Sequence, residues 1–140
     1  MTKYKNREIK FRAWDNDDKR LLDVVVLSCN KEFEFKCYCH VGEFNGKPTG
    51  KYLKEEGCEI MQFTGLLDKN GKEIFEGDIL DTSSGNKYKV IFYKGCFVYT
   101  HVLDDDPRMP IYEVASSWWV IGNIYENHEL LENKNHEGNS

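Results

Sequence analysis

The chain has 140 residues and a mass of 16.4 kDa, with 40% hydrophobic and 14% aromatic residues, enough apolar material for one independent core and too much for wholesale disorder. A formal charge of −5 and a pI near 5.4 set the molecule as a whole against phosphate backbones and anionic membranes, which leaves nucleic acid only a local basic patch. The first residues are polar and no apolar run approaches the roughly eighteen that span a bilayer, so a cytoplasmic protein with no membrane partner is expected.

Residues 7–14 alternate, with Ile9, Phe11 and Ala13 on one side and Lys10 and Arg12 on the other, Trp14 extending the polar side; this is the period of a half-buried strand. Asp15, Asn16, Asp17 and Asp18 are turn chemistry, and 21–27 is apolar and β-branched enough to return as the second strand of a hairpin. Residues 31–41 alternate cleanly, Phe33, Phe35, Cys37, Cys39 and Val41 opposing Glu32, Glu34, Lys36, Tyr38 and His40. Residues 42–57 carry four glycines and a proline without a sustained apolar period, so they read as a loop with a short helical turn near 52–56. The chain is taken as a single unit, 1–140; if it subdivides, the break falls in this loop. The parts are then an N-terminal β layer (1–57), a second part (58–132) and a polar, frayed tail (133–140).

Residues 61–80 hold a strand signal, a turn and a second strand signal. The turn is Asp68, Lys69, Asn70 and Gly71, because asparagine tolerates left-handed φ and glycine has no Cβ to clash there. Gly77 and Asp78 make a second break. Residues 83–86 are a turn, 87–93 a strand with Tyr88, Val90 and Phe92 inward, Lys94 and Gly95 a reversal, and 96–102 another strand. A loop with three aspartates and two prolines covers 104–110, 112–117 is either a strand or a short helical turn, and 118–125 is an apolar closing strand. Asn127 is expected to cap a short helix through Leu131. Short strands at this spacing favour a small sandwich or barrel over alternating α/β.

Three blocks, REIKFRAWD at 7–15, MQFTGLLDKNGKEIFEGDIL at 61–80 and VIGNIYENHELL at 120–131, resemble the signatures of the YopX family, whose members are encoded by bacteriophages and prophages of Gram-positive bacteria. The residues that carry the resemblance are Trp14, Asp68, Asn70, Gly71, Gly77, Asp78, Gly122 and Asn123. It implies a mainly β fold with little helix, an SH3-like barrel in the C-terminal half, an N-terminal β-hairpin layer and a tendency to self-associate in the host cytoplasm. No activity, cofactor or catalytic residue comes with it. His128 stands where many relatives carry proline, which makes the start of the terminal helix less rigid.

Each candidate chemistry has a plainer reading beside it. Cys37, Cys39 and His40, with Cys29 and Cys58, contain donors for a tetrahedral zinc, but in a strand Cys37 and Cys39 share one face while His40 points away, so buried small hydrophobes are the expectation and no metal. The five cysteines, Cys96 included, form an odd set best read as reduced thiols. A cysteine nucleophile needs a base from His40, His101, His128 or His136, yet no cysteine sits at a strand-to-helix elbow where its pKa would fall. Asp104, Asp105 and Asp106 point in different directions and read as a solvated acidic loop. Lys3, Lys5, Arg7, Lys10 and Arg12, interleaved with Tyr4, Phe11 and Trp14, form the one strip that opposes the global charge and suits single-stranded nucleic acid; a solvated cationic strand face is the plainer account. Trp118, Trp119 and Tyr125 are the densest aromatic group, and adjacent tryptophans in a strand face opposite ways, which sets at least one of them against a second layer or a subunit interface. The sequence therefore points to a non-enzymatic, self-associating binding or accessory module without cofactor or catalytic residues, with an unidentified host or phage protein as a further partner. A nucleic-acid-associated protein is the second reading and a thiol- or metal-dependent enzyme the third.

Overall fold

The structure is a computed structural model that describes residues 7–28 and 35–132. Among these residues the fold is mainly β, all strand pairs are antiparallel, and the helical pieces are 3-10 turns of three or four residues. The backbone divides into two compact units, Met1–Gln62 and Phe63–Ser140.

In the first unit, β1 (Phe11–Asp15), β2 (Arg20–Ser28), β3 (Lys36–Phe44) and β4 (Lys47–Leu53) form an antiparallel meander, and β5 (Cys58–Leu67) pairs with the free edge of β1. Ala13, Leu22, Cys37, Cys39, Leu53 and Cys58 make its core, with Val24, Leu27, Phe35, Val41 and Ile60 packed against them. The sheet curls over this face. Lys51 on β4 donates to the Asp15 carboxylate on β1 at 2.6 Å, although a flat sheet would separate strands three places apart by roughly 14 Å. Single extra residues at Val25 on β2 and Val41 on β3 interrupt the register, and such bulges increase twist.

The second unit uses the C-terminal part of β5, which pairs with β6 (Glu73–Phe75). A five-stranded sheet follows in the order β10 (Pro107–Pro110), β9 (Cys96–His101), β8 (Lys87–Tyr93), β7 (Asp78–Asp81), β11 (Trp119–Asn123). Ile74, Leu80, Val90, Ile111 and Ala115 form its core, with Leu66, Phe97, Tyr99, Val114, Trp118 and Val120 around them.

Several expectations change. The first strand begins at Phe11, and Ile9 is exposed. Trp14, expected on a polar face, is only 6% exposed, so β1 is covered on both faces at its C-terminal end. The loop expected at 42–57 is the β3–β4 hairpin followed by a 3-10 turn at Glu55–Gly57. Its reversal is Asn45-Gly46, with φ of 52° and 76°, the pair of left-handed residues that a type I′ turn requires. Apolar alternation is missing there because an edge strand buries little: in β4 only Leu53 is buried. The loop expected at 104–110 contains β10, a four-residue edge strand with proline at both ends, which an edge tolerates because it donates few ladder hydrogen bonds. Phe92, expected inward, is 53% exposed at the end of its hairpin. Residues 31–34 of the third expected strand, including Phe33, lie outside the described residues.

Gly50 on β4 has the Tyr38 ring and the Cys39 carbonyl where a Cβ would go, whereas a Cβ at Gly42 would meet nothing. Chemical denaturation should show Gly50→Ala destabilised by about 1–3 kcal/mol and Gly42→Ala nearly unchanged; equal effects would mean that the close approach of Tyr38 is not what holds position 50.

Candidate functional site

Three of the polar residues that carry the sequence signature, Asp68, Asp78 and Asn123, are buried and turned onto backbone, while Asn70 is exposed. Asp68 is buried. Its Oδ1 accepts the N–H groups of Asn70 (2.8 Å) and Lys72 (2.9 Å), and its Oδ2 accepts that of Val120 on β11 (2.8 Å), 52 residues away. The Lys69 N–H reinforces the tie by donating to the Trp118 carbonyl at 2.8 Å. Burial by itself would raise the Asp68 pKa; the bonds from Val120, Lys72 and Asn70 outweigh it and hold the carboxyl below its ordinary value. Gly71 takes the left-handed conformation at φ 81°, but Asn70 does not, so only half of the expected Asn-Gly chemistry is used. Asp78 is buried and accepts the Phe75 N–H at 2.8 Å. Gly77, at φ 86°, lets its N–H reach the Val90 carbonyl while its own carbonyl accepts from Ile124.

The same device recurs near the C-terminus. Asn123 Oδ1 accepts the N–H groups of Tyr125 and Glu126, both at 2.9 Å. Asn127 accepts the Asn123 N–H at 3.0 Å, so it closes this turn and makes no side-chain cap for the 3-10 turn at His128–Leu131. The Asn127 side chain occupies the space beside Gly122 that a Cβ would need. In the first unit Asp15 accepts the Asp17 and Asp18 N–H groups as well as Lys51. Its burial raises the pKa and these bonds more than reverse the effect.

Cys37, Cys39 and Cys58 are core groups. Cys37 and Cys39 are fully buried with sulfurs 3.6 Å apart, and Cys58 belongs to the same cluster. Burial pushes the Cys37 thiol up to about 12 and Cys58 up to about 11, and raises Cys39. Protonated thiols at neutral pH are poor nucleophiles and poor metal ligands. Among the described residues no three Cys, His, Asp or Glu side chains are arranged to hold a metal ion. Cys96 is half-buried, and its thiol donates to the Phe97 carbonyl at 3.5 Å. Cys29 and His136 lie outside the described residues; His40 is exposed, and His101 Nδ1 accepts the Leu103 N–H. The three aspartates are cross-tied: Asp104 to Arg108 at 3.2 Å, Asp105 to Lys89 at 2.7 Å, with the Asp106 N–H on Asp104. The bond from Lys89 lowers the Asp105 pKa.

Of the basic strip, Lys3 and Lys5 lie outside the described residues. Arg7 is exposed, Lys10 pairs with Glu8 at 3.2 Å, and Arg12 is half-buried. No helix among the described residues is long and apolar enough to cross a membrane.

Trp118 precedes β11 and is held by the neighbouring strands. Its ring lies parallel to Tyr88, with centroids 4.8 Å apart and planes 9° apart, and meets Tyr99 edge-on at 4.8 Å. Trp119 is half-buried with Lys69 over its ring at 5.7 Å, and Tyr125 is half-buried. Two surface features escaped the sequence. One is a cleft of about 290 Å³ lined by Thr82, Ser83, Ser84, Tyr88, Ser117 and Trp118; the inward position of Tyr88 was its only signal. The other is the end of the β8–β9 hairpin, where Phe92 and Phe97 pair across the strands, Tyr93 is exposed, and Met109 and Tyr112 stand exposed on the segment beside β9.

The YopX protein family model matches residues 10–132. The chain is similar to protein EF1440 from Enterococcus faecalis, at 31% identity and a TM-score of 0.66 over 91% of this chain and 100% of that one. It also shares its fold with YopX from Bacillus subtilis, at 18% identity and a TM-score of 0.55 over 89% of this chain and 96% of that one. No curated protein matches.

Asn can offer only one acceptor oxygen where Asp68 uses two, so Asp68→Asn turns an amide N–H toward a backbone N–H and should cost about 1–3 kcal/mol in equilibrium unfolding. Asp15 and Asp68 have lowered folded pKa values and titrate near 3.9 when unfolded. Their contribution is therefore complete above about pH 4 and lost as pH falls through the folded values. A pH series should show stability falling below about pH 4, less steeply in Asp68→Asn; identical acid profiles for the two proteins would contradict the assignment.

Proposed function

Because the chain belongs to the YopX family, we propose that it acts as a phage- or prophage-encoded, non-enzymatic binding or accessory module in the host cytoplasm, working by self-association. An SH3-like arrangement of the second unit is part of this reading. The observation that carries it is the aromatic end of the β8–β9 hairpin, where Phe92 is 53% and Tyr112 65% exposed, with Tyr93 and Met109 beside them. Clustered exposed apolar side chains cost solvation free energy in an isolated chain and mark contact surfaces. Charges of both signs stand at this end, Lys94 in the hairpin turn and Glu113 beside Tyr112, so two copies can meet there without aligning like charges. Trp119 and Tyr125, both half-buried, are proposed as a lesser contact, since Trp118 already stacks on Tyr88.

Light scattering at micromolar concentration should give a mass above the 16.4 kDa of one chain. The double variant Phe92→Ser/Tyr112→Ser should return to one-chain mass with its β spectrum unchanged, and Trp119→Ser should have the smaller effect. A wild-type mass of one chain throughout would remove the proposal.

A further inference from the structure

The cleft in the second unit is built from hydroxyls and aromatic rings without a charge in its lining. Thr82, Ser83 and Ser84 come from the turn after β7, Tyr88 from β8, and Ser117 and Trp118 from the segment before β11. The turn is rigid: Gly85 N–H donates to the Thr82 carbonyl, the Thr82 hydroxyl donates to the Asn86 carbonyl at 2.9 Å, and Ser84 bonds Thr82 at 2.9 Å. The aromatic wall is equally fixed, since Tyr88 stacks on Trp118 and Tyr99 braces both edge-on. Against this frame the hydroxyls of Ser83, Ser117 and Tyr88 have no partner among the described residues. They are both donors and acceptors, available for a ligand.

From this geometry we infer that the cleft is a binding site for a neutral sugar residue. Hydroxyls that donate and accept match ligand groups that do the same, and the parts of Tyr88 and Trp118 that line the cleft outside their mutual stack offer apolar surface to the C–H groups of a sugar ring. An anion finds no cation in the lining: Lys87, next to Tyr88 in sequence, is 3.9 Å from Asp81 and bonds the Gly85 carbonyl. A volume of about 290 Å³ lies at the small end of ligand pockets and suits one ring, not a chain of them. The Tyr88–Trp118 stack and the Thr82–Ser84 contact are in place before a ligand arrives, so the ordering entropy left to lose is mainly that of the Ser83 and Ser117 hydroxyls. The site is independent of the self-association proposed above, because its residues are not those of the β8–β9 hairpin end.

The test is a titration of the full isotope-labelled chain, followed by amide NMR, with methyl glycosides of neutral hexoses and N-acetylhexosamines as probes and adenosine and inorganic phosphate as controls. At least one glycoside should saturate with a Kd of roughly millimolar, moving the amides of Ser83, Ser84, Gly85, Ser117 and Trp118. Ser117 and Ser116 are both exposed, so neither substitution threatens the core. Ser117→Leu, which fills the cleft, should weaken binding about tenfold or more, and Ser116→Leu, outside it, should leave it unchanged. The proposal is overturned by glycosides that move no amide in this set, by shifts with adenosine or phosphate alone, or by equal affinity in Ser117→Leu.

Discussion

The interaction on which the second unit depends is the buried Asp68 carboxylate with its three backbone donors. A turn exposes N–H groups that no ladder satisfies, and leaving one buried and unpaired costs on the order of 1–3 kcal/mol. Asp68 satisfies two of them within its own turn and uses its other oxygen to hold β11, so one side chain joins segments that are distant in sequence. Low local dielectric strengthens such charge-assisted bonds as the carboxylate is buried.

The other signature positions follow the same logic. Asp15 closes the β1–β2 turn and anchors Lys51 across the curled sheet, Asp78 satisfies Phe75, and Asn123 with Asn127 closes the turn after β11. Each of the three sequence blocks therefore contributes at least one buried Asp or Asn that accepts backbone N–H groups. A fold of short strands joined by tight turns has many such groups for its size, and it places short polar side chains inside to meet them. The polar side-chain atoms of Asp15, Asp68, Asp78 and Asn123 are thereby engaged with backbone.

The two surfaces proposed for binding stand on the frame that the signature residues hold. The turn at 82–86 and the Tyr88–Trp118 stack sit on the frame that Asp68 and β11 hold together. The hairpin end at Phe92 and Tyr112 projects from the same sheet. Cys37, Cys39 and Cys58 contribute volume to the first core, where burial raises their thiol pKa values.

The sequence by itself determined the class of fold and most of its punctuation. Alternation marked β3 and β8, because a strand with one covered face must repeat every second residue, and Gly71, Gly77 and Gly95 marked reversals that need φ above zero. Cys37 and Cys39 could be assigned to one buried face from spacing alone. Strands that bury little left no such trace, so β4 and β10 read as loops even though Asn45-Gly46 stood between β3 and β4. Only the tertiary structure decided which acceptor meets which distant donor. The Asp68–Val120 bond, the reach of Lys51 to Asp15 and the stacking of Tyr88 on Trp118 depend on strand order, bulges and sheet curl. Those are set by packing between segments far apart in the chain, which local periodicity does not encode.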